Sequence, residues 1–173
     1  KSTAELVNVV PSDKPSDAYK AVAEQAKEFL PTYMHRWMNR AVCKRTVMTI
    51  PYNATKDSSR KYIREALLEE GIDPTKDELT QVVNAVYNSM DAIVPGPMQV
   101  MRWIKKHVGQ YIRNGATEVE WVTPSGFVVN QRRDDIETEQ MELQLLGRTR
   151  VRLPTGKTSP SPNKHKSSTA PNY

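Results

Sequence analysis

With one cysteine, Cys43, the chain cannot form an intrachain disulfide. Its three histidines, His35, His107 and His165, are too widely separated for the spacing of a zinc site. No apolar run approaches the roughly 18 residues that a membrane-spanning helix needs. The N-terminal KSTAELVNVV lacks the succession of charged, apolar and small residues that marks a signal peptide. These absences fit an intracellular protein, and the lack of an initiator Met fits a fragment or a processed product. A chain of 173 residues is long enough to bury a core.

Acidic residues are also missing, but only locally. Lys and Arg number 25 against 20 Asp and Glu, a net +5 that favours anionic partners without naming one. Between residues 29 and 56 there is no acid, while Arg36, Arg40, Lys44, Arg45 and Lys56 are present. Between 143 and 173 there is again none, against Arg148, Arg150, Arg152, Lys157, Lys164 and Lys166. Acids gather instead near 65–78 and 134–142. Both acid-free stretches are candidates to meet phosphate.

Periodicity divides the chain into helices followed by strands. Tyr19, Val22, Ala26 and Phe29/Leu30 predict a helix capped by Ser16 with Asp17 in its first turn. A second helix is predicted over 32–50, ended by Pro51. A third runs over 59–70, closed by Gly71, and a fourth starts at a Thr75/Glu78 capping box. Pro95-Gly96-Pro97 stops that one, and Met101, Ile104, Val108 and Tyr111/Ile112 form the stripe of a fifth, ended near Gly115. Residues 118–131 alternate around Thr123-Pro124-Ser125-Gly126 as a β-hairpin. Strand-like stretches follow over 136–153, where Arg148, Arg150 and Arg152 project to one side. From Pro154 onward the composition reads as a loop or mobile tail. Three divisions result: helical 1–115, hairpin and strand 116–153, and a basic Pro/Ser-rich 154–173. The fold class is α+β, mainly α-helical with a C-terminal β-hairpin region.

Within RAVCKRTVMTIPYN (40–53), Arg40, Lys44, Met48 and Tyr52 recur every four residues. A four-residue step turns a helix by only about 40°, so the row stays on one face and spans roughly 18 Å. That is about the length of a nucleoside triphosphate. A guanidinium grips phosphate oxygens in pairs, an ammonium is a compact charge beside a leaving group, and Met and Tyr offer surface to base and sugar. A solvated basic helix face has the same spacing. Spacing together with the missing acids leaves the two readings level.

Arg40-xxx-Lys44-Arg45-Thr46-Val47-Met48-Thr49-xx-Tyr52 resembles the fingers-helix motif of bacteriophage-type single-subunit DNA-directed RNA polymerases. PSDKPSDAY (11–19), WVTPSGFVVNQ (121–131) and NKHKSSTAPNY (163–173) resemble further segments of that family in the same order, with 72–101 matching weakly. The resemblance implies the fingers part of a right-hand polymerase fold. It implies that Arg40 and Lys44 contact the incoming ribonucleoside triphosphate, with Lys44 catalytic at the departing pyrophosphate. Met48 would pack nearby and Tyr52 would sit beside the nascent base pair, favouring ribose. Arg45 would add charge toward phosphate or template, and Tyr19 and His165 match family positions that meet nucleic acid, with turn packing or solvent exposure as their alternative. Independently of the resemblance, Arg148, Arg150 and Arg152 form a phosphate-facing edge if they project together. Implied partners are a DNA template and nascent RNA, with no membrane and a monomeric full-length enzyme. It would act in the cytoplasm of an infected bacterium, or in a mitochondrion or plastid if organellar.

Two departures stand out: Asn53 replaces the family's usual Gly, and Asp57-Ser58 replaces an aromatic. The family also binds two Mg²⁺ through two aspartates that would lie before Lys1 and after Tyr173. Neither is in this chain, and Asp134-Asp135 reads as an exposed charged turn. These 173 residues alone are therefore predicted to be inactive. Two alternatives stand beside this reading: a family A DNA polymerase fragment, whose helix has similar spacing but usually an aromatic at the place of Met48, and a non-catalytic nucleic-acid-binding module. Cys43 and Trp37, Trp103 and Trp121 read as packing residues.

Overall fold

Four helices begin at a short polar side chain that accepts from the backbone of the first turn. Asp17 caps α2 (Ala18–Lys27), Asn39 caps α3 (Arg40–Thr49), Thr55 caps α4 (Lys56–Glu69), and Thr75 caps α5 (Lys76–Ile93). A short α1 (Thr3–Leu6) precedes them, and α6 covers Pro95–Arg113. The structure, a computed structural model, describes residues 3–11, 13–144, 147 and 149–172, the last three by backbone alone. It divides into two compact units, Lys1–Arg102 and Trp103–Tyr173, with the boundary inside α6. No helix among the described residues is long and apolar enough to cross a membrane.

The Thr75/Glu78 capping box forms as expected, each side chain meeting the other's backbone N–H. At α2 the cap is Asp17 and not Ser16: the Asp17 carboxylate accepts from Tyr19 N at 3.0 Å and Lys20 N at 3.1 Å. The backbone of Ser16 is engaged elsewhere, because the Asn8 side-chain amide bonds both its N–H and its C=O, at 2.7 and 2.9 Å.

The helix expected over 32–50 is two pieces. Thr32–Trp37 is a 3₁₀ turn, Met38 and Asn39 are extended, and α3 starts afresh at Arg40. Asn39 causes the break: its side chain accepts from Val42 N at 3.1 Å, which opens a new helix and not the continuation of an old one. At the far end Pro51 cannot supply the next backbone N–H, and the chain closes with Ala54 N donating to Thr49 O and Asn53 N to Ile50 O. This closure needs a left-handed residue, and Asn53 supplies it at φ +65°. Gly71 ends α4 through the same pair of bonds at φ +77°.

The core of the first unit is apolar and draws on α2 to α5, with Met34, Val42, Ile63, Leu67, Val82 and Val86 fully buried. In α3 the buried residues are Val42, Cys43, Thr46 and Val47, an i, i+1, i+4, i+5 arc. The same periodicity leaves Arg40, Lys44 and Met48 outside that arc.

In the second unit, β1 (Val119–Val122) and β2 (Val128–Gln131) make the expected antiparallel hairpin around residues 123–126. β3 (Asp134–Leu143) and β4 (Thr149–Pro160) form a second antiparallel pair. Asp134-Asp135 therefore opens a strand instead of lying in a turn. Asp134 pairs with Arg132 at 3.0 Å and Asp135 with Lys164 at 2.6 Å. The expected mobile tail from 154 is instead strand and helix: β4 continues to Pro160, past a bulge near Gly156 at φ +79°, and α7 covers Pro162–Asn172. The physical reason is a polar seam. Ser161, His165 and Thr169, one helical turn apart, are all buried. Gln131 Nε2 donates to Thr169 Oγ1 at 2.8 Å, and Ser161 N to Arg133 O at 2.9 Å. A segment without large apolar residues docks through hydrogen bonds.

Candidate functional site

A cleft of about 780 Å³ opens in the first unit. Arg40, Val47 and Met48 reach it from α3, Pro51 and Tyr52 from the turn after α3, and Asp17 and Tyr19 from the start of α2. Met90, Met98 and Met101 give it an apolar floor that is deformable, because thioether chains repack readily. Three members of the four-residue row thus share one concave surface. Met48 is 47% exposed and Tyr52 73% exposed, so both present their side chains to whatever enters. Tyr52 lies beyond the last α-helical residue, yet the closure at Asn53 keeps it winding in the helical sense, with its N–H on Thr49 O at 3.1 Å.

Lys44, the fourth member, does not line the cleft. It projects from the next turn of α3 and has no hydrogen-bond or ion-pair partner among the described residues. Arg40 is held differently. Its Nε donates to Asp17 Oδ2 at 2.7 Å, and its guanidinium lies 5.3 Å from the Tyr19 ring centroid. The Asp17 carboxylate is pushed below its ordinary pKa, first by the Lys20 backbone N–H it caps and then by Arg40. Asp17 is the residue that sequence reasoning assigned only to a helix turn. A partnership across 23 residues of chain leaves no local pattern to read.

The other expected contacts are distributed elsewhere. Arg45 turns to α4, pairing with Glu65 at 2.9 Å and lying 4.1 Å from the Tyr62 ring, so it braces two helices instead of facing the cleft. His165 is fully buried. Its Nε2 accepts from Arg133 N at 3.1 Å, and burial holds its pKa below the ordinary value. It packs α7 and offers no surface to nucleic acid. Arg150 and Arg152 are exposed on β4, opposite Glu142 and Gln140 of β3. Arg148 lies outside the described residues. Cys43 is buried beside the row, and burial pushes its thiol up to about 12, which makes it a packing residue and not a nucleophile.

No group of three or more His, Cys, Asp or Glu converges among the described residues. The described residues therefore offer no cluster that fits the two-Mg²⁺ site implied by the resemblance.

The family model for DNA-dependent RNA polymerase matches residues 1–173. The chain belongs to this polymerase family. The mitochondrial DNA-directed RNA polymerase of Homo sapiens is 27% identical across 98% of this chain and 15% of its own length. T7 RNA polymerase of Escherichia phage T7 is 26% identical across 88% of the chain and 20% of itself. The DNA-directed RNA polymerase of Enterobacteria phage K11 is 25% identical across 96% and 25%. This RNA polymerase family member therefore spans a quarter or less of the length of each of these relatives. The relatives come from phages and mitochondria alike, and they favour neither the DNA polymerase nor the non-catalytic module raised by the sequence.

Proposed function

We propose that this chain supplies the nucleotide-facing fingers helix of a template-dependent RNA polymerase, and that α3 is that helix. The observation that carries the reading is the shared cleft: Arg40, Met48 and Tyr52 line one concave surface, with Lys44, which has no partner among the described residues, one turn from Arg40. Substrates are ribonucleoside triphosphates, and the partners are a DNA template and the nascent RNA. Mg²⁺ would be held by residues outside this chain.

Nucleotidyl transfer joins the RNA 3′ oxygen to the α-phosphorus and breaks the bond to the β-phosphate oxygen. Negative charge then gathers on the departing pyrophosphate. Arg40 takes triphosphate oxygens, orienting the nucleotide. Lys44, a compact ammonium, neutralises or protonates the leaving group. Met48 and Tyr52 bound the base and sugar from the cleft side, the Tyr52 hydroxyl being the one polar group they offer.

The test is RNA synthesis by the full-length polymerase carrying these residues. Lys44→Ala is expected to lower kcat by about 10²-fold or more, the contribution typical of a positioned proton donor or charge. A folded Lys44→Ala enzyme with the parent kcat would remove Lys44 from the chemistry and with it this reading of the row.

A further inference from the structure

A guanidinium has three recognisable surfaces: the side edge at Nε, the flat face, and the end edge formed by the two Nη groups. In Arg40 the first two are occupied by this chain. Asp17 Oδ2 takes Nε at 2.7 Å, and the Tyr19 ring lies 5.3 Å from the guanidinium carbon. The end edge has no partner among the described residues. That is the edge which binds two phosphate oxygens side by side.

The holder is itself held. Asp17 Oδ1 accepts from Tyr19 N and Lys20 N at the start of α2, which fixes the carboxylate plane and offsets its charge. One residue earlier, both backbone groups of Ser16 are bonded by the side chain of Asn8. Asn8 adopts φ +57°, in a turn that closes α1. Arg40 thus rests on a chain of contacts running from Asn8 through Ser16 to Asp17, all of it in the first unit.

We propose that Asp17 is a positioning residue for Arg40: with the Tyr19 ring it clamps the guanidinium so that its end edge is presented, already oriented, to the triphosphate of the incoming nucleotide. The inference rests on the reading of Arg40 as a triphosphate ligand. Both side chains are partly exposed, so the ion pair adds little to folding stability. Its effect is on orientation, since a long side chain held in one rotamer loses less freedom when the ligand arrives. Asp17 touches no substrate and acts through Arg40.

The experiment is steady-state RNA synthesis by the full-length polymerase, with Asp17→Asn, Arg40→Ala and the double variant. Asn retains the helix cap, so Asp17→Asn removes the negative charge that faces Arg40 while sparing α2. KM for ribonucleoside triphosphate is expected to rise about three- to tenfold in Asp17→Asn with kcat changed less, the scale of a partly exposed charged contact. In the Arg40→Ala background the same substitution is expected to change nothing further, because the residue it serves is gone. A merely structural Asp17 would give additive effects there, and additivity overturns the proposal. So does an unchanged or lowered KM in Asp17→Asn, the latter being the mark of a carboxylate that competes with phosphate for Arg40. Should Asp17→Asn fail to fold, Asp17→Ser keeps a capping oxygen too short to reach Arg40, and the same KM rise and the same non-additivity are required of it. If Arg40→Ala itself leaves KM unchanged, the triphosphate reading falls and takes the clamp with it. If Arg40→Ala raises KM and the Asp17 variants do not, only the clamp falls.

Discussion

Asn53 illustrates how one backbone angle sets the place of an exposed side chain that lines the cleft. At φ +65° it closes α3 and thereby holds Tyr52 at the mouth of the cleft. A side chain without a Cβ pays no penalty in that region, whereas a β-branched one meets the following carbonyl. Asn53→Gly is therefore expected to leave the thermal midpoint of the chain nearly unchanged. Asn53→Val should lower stability by about 1–2 kcal/mol, visible as a drop in denaturant midpoint. A Val variant as stable as the parent would mean that the turn can be closed another way. The family resemblance implies Gly at this position; here Asn adopts the left-handed conformation that Gly takes most readily.

At the scale of elements, α7 depends on a buried imidazole. His165 Nε2 accepts a backbone N–H, so protonating that nitrogen breaks the bond. Burial lowers the folded pKa below the ordinary 6.5, with Asp134 opposing the shift and Arg133 adding to it. The unfolded chain then binds more protons than the folded one as pH falls through that value, so the contribution to stability is present above it and lost below it. Amide exchange in α7 is expected to quicken between pH 7 and pH 5 beyond its intrinsic pH dependence. His165→Gln, which keeps an acceptor but cannot titrate, should abolish the excess. An excess that persists in the variant would assign the effect to another group. The sequence of this segment, rich in Pro, Ser and Lys, gives no apolar stripe to predict a helix; its burial rests on Ser161, His165 and Thr169 finding partners from other elements.

Across the whole molecule, packing rearranges the charge pattern of the chain. The acid-free stretch from 29 to 56 is not acid-free in space: Asp17 reaches Arg40, and Glu65 reaches Arg45. What brings those carboxylates there is the core of the first unit, in which Leu67 and Ile63 of α4 are fully buried. Leu67→Ala is expected to destabilise that unit by about 2–5 kcal/mol, read as a shift in denaturant midpoint followed by exchange of α5 amides. A shift under about 1 kcal/mol would mean that the site collapses around the missing atoms.

Local rules acting over a few residues were sufficient to read much of this. The α+β class, the capping box at Thr75, the ends at Gly71 and Pro51, the hairpin around Thr123 and the four-residue row are all legible because caps, turns and periodicity are local chemistry. Ordered motifs, read together, also carried the family. Tertiary structure alone decided that Arg40 pairs with Asp17 while Lys44 has no partner among the described residues, that Arg45 braces α4, and that His165 is buried. It also decided that the segment from 154 is strand and helix. Each of these depends on groups brought together from distant parts of the chain, and the partner of a long charged side chain is chosen by the packing of the helices that carry both.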